Sequence, residues 1–404
     1  MGHILSGLRV IDCGTYIAGP AAAVILSDFG AEVIKVERPP AGDPMRMLSR
    51  MPGMPVASVD YCSALDSRNK KSLALNLGDT AGRDALLKLV ATADIFVTNY
   101  QPQLVKKFRL GFDDLRTLNP RLIYAQVTGY GEMGPEAEKP GYDMTAYWAR
   151  SGLMDLMHNA DAEPARSVCG FGDHPTSVVL FGAIMLGLYQ RDRTGSGCKV
   201  STSLMASGAW SNGSQIQAAF CKASPPEPYT RKNTNNPLVN HYLTKDGKRF
   251  ILCGLDPVND WARLCRAIGM PELTCAPKFN TPAGRAANGR ELVELFDQEF
   301  AKAEMCEWKQ RFAEQEVIWG PVPSFSEVAE DEQMRLNGVF TEVRDAIGGP
   351  YRTVSNPITV EGAEKVAPRM APAVGEHSVE ILRSLGLNDE AIADMVKRGV
   401  TMAP

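Results

Sequence analysis

The chain has 404 residues, 44% of them hydrophobic and 22% charged, an ordinary globular composition with length for one large core or two unequal ones. Its formal net charge of −4 supplies no overall positive field for nucleic acid or an anionic membrane, so an anionic ligand has to be met by local basic residues. Nine cysteines without a Cys-x-x-Cys pair and five histidines without paired spacing argue against a disulfide framework and a zinc site, and suit reduced thiols in a cytoplasm.

No signal-peptide pattern opens the sequence. Met1-Gly2 with Ser6 matches the bare myristoylation pattern, but Gly7–Cys13 already reads as a strand and discounts the lipid. Leu8–Ile11 predicts a short strand, Gly19-Pro20 opens an Ala-rich helix to Phe29, and Ala31–Val36 predicts a second buried strand. Such a βαβ unit implies a parallel sheet with helices on its faces. The pattern recurs with a helix at 81–92, a strand at 95–97, a helix near 115–119 and a strand at 122–127. The turn Gly14–Gly19 lacks the Gly-x-Gly-x-x-Gly fingerprint and no Walker motif is present, so the sheet is Rossmann-like without the usual nucleotide chemistry. In an open doubly wound sheet, ligands bind beyond the carboxyl ends of the strands.

Further along, the apolar run Val178–Tyr189 predicts a buried helix too short to span a bilayer. Proline, asparagine and charge at 223–238 predict a surface linker. Strands at 242–244 and 249–253 flank Lys245-Asp246-Gly247-Lys248 as a hairpin, and helical patterns follow at 258–268 and 289–315. The expected organisation is a large Rossmann-like domain at 1–222, the linker at 223–238, a smaller α+β domain at 239–325, and a segment at 326–404 that packs back on the large domain. That last segment carries strand patterns at 339–343 and 351–354 and an amphipathic helix at 378–397. The fold class is α/β.

Three stretches stand apart from plain scaffold. In Cys169-Gly170-Phe171-Gly172-Asp173-His174-Pro175 two glycines precede an aspartate, then proline and the apolar helix. On local sequence Asp173 reads first as a helix N-cap; the alternative is a carboxylate kept ionised by the helix dipole at a place that steadies negative charge on a reacting acyl oxygen. Val127–Pro135, with Gly131, closes a strand in a glycine-rich loop that continues to Gly141-Tyr142-Asp143; it reads as a ligand loop or a surface turn. Arg38, Lys70, Lys71, Lys106, Lys107 and Arg109 form a dispersed basic set near strand ends, suited to phosphates or to solvent.

At these places the sequence resembles the family III CoA transferases. The likeness runs through Gly7-Leu8-Arg9-Val10-Ile11-Asp12, Ala18-Gly19-Pro20, Gly30–Glu37, Asn69-Lys70-Lys71-Ser72, Thr194–Gly197 and Gly375–Ser378. The resemblance implies that fold, with Asp173 as the nucleophile that forms an acyl anhydride and then an aspartyl-CoA thioester. It implies CoA contacts at Ile17, Ala18, Arg38, Leu75, Asn76, Asn99, Tyr100 and Arg109, and acyl-group contacts at Gly131, Tyr142 and Asp143. Coenzyme A and acyl-CoA are then substrates, with no permanently bound cofactor and no metal. An interlocked homodimer with active sites at the lobe junction is also implied, and no nucleic-acid or membrane partner.

The formyl-CoA enzymes of that family carry a run of glycines over the site. Asn233–Tyr242 has none, which implies a different lid and points away from formyl and oxalyl groups. The stretches 128–135, 140–146 and 172–174 are similar to the phenyllactate and 2-hydroxyisocaproate CoA transferases of amino-acid fermentation, implying a 2-hydroxy acid and an enoyl-CoA. Tyr142, Met144, Tyr147 and Trp148 read as an acyl pocket or as core. Two other functions share the resemblance: an α-methylacyl-CoA racemase, and a non-catalytic CoA-binding partner subunit. The racemases supply a histidine before the loop aspartate, where this chain has Tyr142, a poor base at neutral pH.

Overall fold

A computed structural model of the chain describes residues 2–224, 230–344 and 349–403. These fall into two compact units: Met1–Leu156, Ala165–Ala223 and Leu336–Pro404 form the first, and Met157–Pro164 with Ser224–Arg335 form the second.

The first unit begins with β1 (Arg9–Cys13), α1 (Ala18–Asp28), β2 (Glu32–Glu37), α2 (Tyr61–Asp66), β3 (Lys71–Ala74), α3 (Thr80–Val90), β4 (Ile95–Thr98), α4 (Pro102–Phe108), α5 (Phe112–Arg116) and β5 (Ile123–Thr128). A π-helical segment at Asp143–Ala149 and α6 (Leu153–Leu156) precede α7 (Asp173–Thr194), β6 (Lys199–Ser203), α8 (Leu204–Ser211) and α9 (Gly213–Phe220). The six strands are parallel in the order β3-β2-β1-β4-β5-β6. Successive side chains point to opposite faces, so neighbours on one strand serve different layers. Val10, Val33, Ile95 and Ile123 pack towards Ala22 and Leu26 of α1 and Leu180 and Ile184 of α7. Ile11, Ile34, Leu73, Phe96 and Tyr124 pack with Leu86 and Leu89 of α3.

The expected βαβ elements are present with shifted ends. The helix expected near 115–119 begins earlier, at Phe112, where Asp114 Oδ2 accepts the Gly111 amide at 3.3 Å. The strands β3 and β6 carried no sequence expectation. No helix among the described residues is long and apolar enough to cross a membrane.

The second unit holds the antiparallel sheet β7 (His241–Leu243), β8 (Arg249–Leu252) and β9 (Trp319–Val322) with helices α10 (Asn259–Ala267), α11 (Pro282–Ala287), α12 (Gly289–Phe300), α13 (Met305–Glu314), α14 (Phe325–Ala329) and most of α15 (Glu332–Leu336). Its core is aromatic: Tyr242, Phe250, Phe296, Phe300, Trp308 and Phe312. The helical pattern expected over 289–315 resolves into two helices, because Glu304 starts a new capping box with Glu307. The expected linker is shorter than 223–238. Within it 225–229 lie outside the described residues, while Arg231 pairs with Asp297 at 2.5 Å and Leu238 is buried in the second unit's core. Residues 326–335, expected with the C-terminal segment, belong to this unit as well.

The chain then returns to the first unit through the hairpin β10 (Phe340–Val343) and β11 (Tyr351–Val354) and helices α16 (Ser378–Ser384) and α17 (Asp389–Lys397). This segment closes the open edge at β3. Ser72 O accepts the His377 amide at 3.0 Å, Ala74 O accepts the Thr401 hydroxyl at 2.7 Å, and Ser378 Oγ accepts the Ala74 amide at 3.0 Å. An uncovered edge strand is a template for unwanted pairing, and here its polar groups are spent internally.

Candidate active site

The strand order reverses between β1 and β4, which opens a crevice at the carboxyl end of the sheet. The loops on its two sides are tied together: Asn99 Nδ2 donates to Thr15 O at 2.7 Å, and Asn99 Oδ1 accepts the Thr15 amide at 2.8 Å. Ile17 and Ala18 follow β1, Arg38 follows β2, Leu75 and Asn76 follow β3, and Asn99 and Tyr100 follow β4. Arg109 ends α4 in a left-handed conformation, and Gly131 lies in the loop after β5 with its amide on Thr128 Oγ1. All these sequence-expected residues therefore lie beyond strand ends or on the helix after one. Arg38 and Arg109 are exposed and make no ion pair among the described residues; Lys106 and Lys107 are likewise exposed and unpaired.

Two of the basic residues do something else. Lys70 is wholly buried, 2.8 Å from Asp12 Oδ2 and donating also to Pro20 O and Asp66 O. Lys71 bridges Glu32 and Glu380. Lys70 is not available to a phosphate, because burial of an ammonium requires the full set of acceptors that it has collected, and Lys71, half-buried, is held by its two carboxylates. The whole Asn69–Ser72 stretch is structural: Asn69 binds Asp28 and the Arg369 amide, and Ser72 binds Glu37. Beneath the crevice Lys35 pairs with Asp43 at 2.6 Å and lies 3.8 Å from Asp12, while its ammonium also reaches Gly14 O. Burial favours a neutral Asp12, but Lys35 and Lys70 outweigh it and hold its carboxyl below the usual range. Asp43 in turn accepts the amides of Tyr16 and Met45, so this network fixes the β1 loop.

Asp173 is the first residue of α7, and Gly172 occupies the N-cap position. The expectation of an Asp173 cap is thus corrected. The capping role passes in part to a different carboxylate: the Gly172 amide donates to Asp143 Oδ1 at 2.9 Å. The Asp173 carboxylate makes no hydrogen bond among the described residues. The expectation that the helix dipole keeps it readily ionised is also reversed in sign. Burial, then the charge of Asp143, then Asp66, push its carboxyl up to about 7, with His174 opposing. Burial likewise raises Asp143, against the hydrogen bond from Gly172.

Three chain segments meet around Asp173. A Cβ on Gly172 would overlap the Tyr147 ring and lie 2.7 Å from Asp143 Oδ1, so glycine is required for the contact. At Gly129 a Cβ would lie 2.7 Å from the Gly141 Cα, and this close crossing delivers the 142–143 loop from the end of β5. Tyr142 is 58% exposed and meets Tyr16 edge-on at 5.8 Å. Tyr16 has φ 59, a left-handed backbone that is strained for a side chain of this size. The four residues read as an acyl pocket divide: Tyr142 and Met144 are exposed, whereas Tyr147 and Trp148 are buried and pack edge-on against Phe171. Asp66, Tyr16 and the role of His174 had no sequence expectation. His174 bonds Asp66 Oδ1 through Nε2 and Gly170 O through Nδ1, both at 3.2 Å.

Comparison with known proteins agrees across the whole chain. The model of CoA-transferase family III matches residues 5–378. The chain is 32% identical to the (R)-2-hydroxy-4-methylpentanoate CoA-transferase of Clostridioides difficile, covering 96% of this chain and 97% of that one. It is 31% identical to the cinnamoyl-CoA:phenyllactate CoA-transferase of Clostridium sporogenes, over 98% and 96%. Identity to the human succinyl-CoA:glutarate CoA-transferase is 32%, over 98% and 89%. The crystal structure of a CAIB/BAIF family protein from Brucella suis superposes with a TM-score of 0.84 at 28% identity, covering 95% of this chain and 100% of that chain.

Proposed function

The chain belongs to CoA-transferase family III and is a CoA-transferase, working between an acyl-CoA and a carboxylic acid; from that premise we propose that Asp173 is its nucleophile and a branched or aryl 2-hydroxy acid its acceptor. The observation that carries the first part is the Asp173 carboxylate itself: unbonded, at the start of α7, and raised to about 7. A raised carboxyl is a stronger nucleophile once ionised.

In the proposed sequence the Asp173 oxygen attacks the thioester carbonyl of the donor, and the C–S bond breaks to release CoA thiolate. The thiolate then attacks the Asp173 carbonyl of the mixed anhydride, expelling the donor acid and leaving an aspartyl-CoA thioester. The acceptor carboxylate opens that thioester, giving a second anhydride and free thiolate. Attack of the thiolate on the acceptor's acyl carbon yields the new acyl-CoA and restores Asp173. Each step exchanges one acyl bond for another and needs no external oxidant or reductant.

Support for the substrate class comes from the two clostridial relatives, whose names specify 2-hydroxy acids, and from the exposed Tyr142 and Met144 that flank Asp143 in the chain. An enoyl-CoA donor fits the cinnamoyl-CoA named for one of them. In the same reading Arg38 and Arg109 meet the CoA phosphates, Ile17, Ala18, Leu75, Asn76, Asn99 and Tyr100 line its path, and the enzyme works in the cytoplasm as a homodimer.

The test is direct. After incubation with acyl-CoA, hydroxylamine should leave a hydroxamate on the peptide containing Asp173, detected by mass. Asp173→Ala that transfers CoA at the wild-type rate would falsify the mechanism. The same incubation in deuterated water checks for racemase chemistry, which would exchange the α-hydrogen without a second acid.

A further inference from the structure

His174 follows the nucleophile in the chain, and its ring is held at both nitrogens. Nδ1 faces the carbonyl oxygen of Gly170 and Nε2 faces Asp66 Oδ1, each at 3.2 Å. A carbonyl oxygen accepts and never donates, and so does an ionised carboxylate. A neutral imidazole has one N–H and satisfies only one of these partners; both contacts are hydrogen bonds only when both nitrogens are protonated. The partners are themselves fixed. Asp66 ends α2 and is buried, and its own carbonyl accepts Lys70, which is locked to Asp12. Gly170 has φ 77 and starts the tight loop into α7.

We propose that Asp66 and the Gly170 carbonyl hold His174 as an imidazolium, and that this fixed cation is a positioning residue for the catalysis of Asp173. The proposal rests on Asp173 being the nucleophile. The charges facing His174 come from every packed segment: Asp66 on α2, Asp143 on the π-helical segment, and Asp173 beside it. Cys169, at the start of the loop, has its thiol raised by burial. A cation in the first turn of a helix opposes the helix dipole, so α7 alone would not keep this ring charged. The acceptors do. Burial works against the charged ring, yet Asp66, Gly170 O and Asp173 together raise it to about 9. Of the charges near Asp173, His174 is the one that favours its ionised, attacking form. The ring also ties the 170–174 loop to α2, which fixes the direction from which the carboxylate meets a thioester.

Two measurements test this. In protein carrying ¹³C-labelled histidine, the resonance absent from His174→Gln is that of His174. In wild type it should titrate near 9, and in Asp66→Asn the midpoint should fall by about one unit or more. Separately, acyl-enzyme formation is followed in single turnovers across pH. His174→Gln keeps a hydrogen-bonding side chain but removes the charge, so the ionisation of Asp173 should move up by about one unit. The rate at pH 7 then drops roughly fivefold, and the loss disappears at pH 9. Recovery at high pH separates loss of the charge from loss of folding, which no pH restores. A wild-type His174 titrating in the ordinary histidine range overturns the proposal, as does a His174→Gln midpoint that does not move. No acyl-enzyme in the wild type would overturn Asp173 as nucleophile, and with it the positioning role.

Discussion

Asp143 Oδ1 accepts the main-chain amide of Gly172 at 2.9 Å, so a carboxylate from one loop caps the helix whose first residue is Asp173. The cap that brings Asp143 into place also sets a negative charge beside the proposed nucleophile. Anchoring and electrostatics are therefore carried by one side chain, and they can be separated by substitution.

The first expectation concerns pH. Asp173 lies near 7 because burial and Asp143 disfavour its charge. Single-turnover acylation should rise with pH through about 7 and fall about tenfold per unit well below it. The linkage sign follows: a carboxyl raised in the folded state binds its proton more tightly there, so folding loses stability as pH rises between its unfolded value and about 7. Asp173→Asn should accordingly melt a few degrees above wild type at pH 8 and no higher at pH 4.

Asp143→Asn and Asp143→Ala should differ. Asparagine retains an oxygen for the Gly172 amide but removes the charge, so the acylation midpoint moves down by about one unit with little change in melting. Alanine also leaves the buried amide unpaired, and urea unfolding should show a further loss of about 1–2 kcal/mol.

Gly172→Ala tests the packing under the nucleophile. The added methyl has no room between Tyr147 and Asp143. An overpacked site costs about 1–3 kcal/mol, and Tyr147→Leu in the same chain should return part of it.

The basic set should separate into two classes. Lys70→Met strands Asp12 in a dry site with only Lys35 near it, and should cost about 3–5 kcal/mol in urea unfolding. Arg38→Ala and Arg109→Ala should leave stability within about 0.5 kcal/mol. In steady-state kinetics each should raise the KM for acyl-CoA about five- to tenfold, at unchanged kcat, if it meets a phosphate of CoA.

Those two classes mark where reading the sequence works and where it stops. The parallel sheet was legible because buried strands and Ala-rich helices announce themselves over five or six neighbours. The location of the crevice followed from that, and the glycines and proline around Asp173 announced the start of α7, whereas its reading as a nucleophile came from the resemblance alone. Lys70 was not. Its partner Asp12 lies 58 positions away, and nothing local tells a buried lysine from a solvated one. β3 was hidden for the same reason, since Lys70 just before it and Lys71 at its start resemble surface. The Asp66–His174 contact spans 108 positions, and neither residue has a pattern around it that names the other. Of the four residues read as pocket or core, Tyr147 and Trp148 went to the core and Tyr142 and Met144 to the surface. The segment Asp143–Ala149 is π-helical, with more residues in each turn than the α-helical spacing assumes, so α-helical periodicity could not sort them.

The buried ions under the crevice bear on how this chain can change over generations. Asp12, Lys35, Lys70 and Asp43 are nearly inaccessible and mutually compensating. Neutralising one leaves another exposed to the full penalty of an unpaired buried charge, whereas replacing a matched pair together is close to neutral. A lineage that acquires substitutions singly therefore meets a barrier at each of these positions and almost none at the exposed Tyr142 or Met144. Change is free to accumulate at the rim by small steps while the floor is inherited intact.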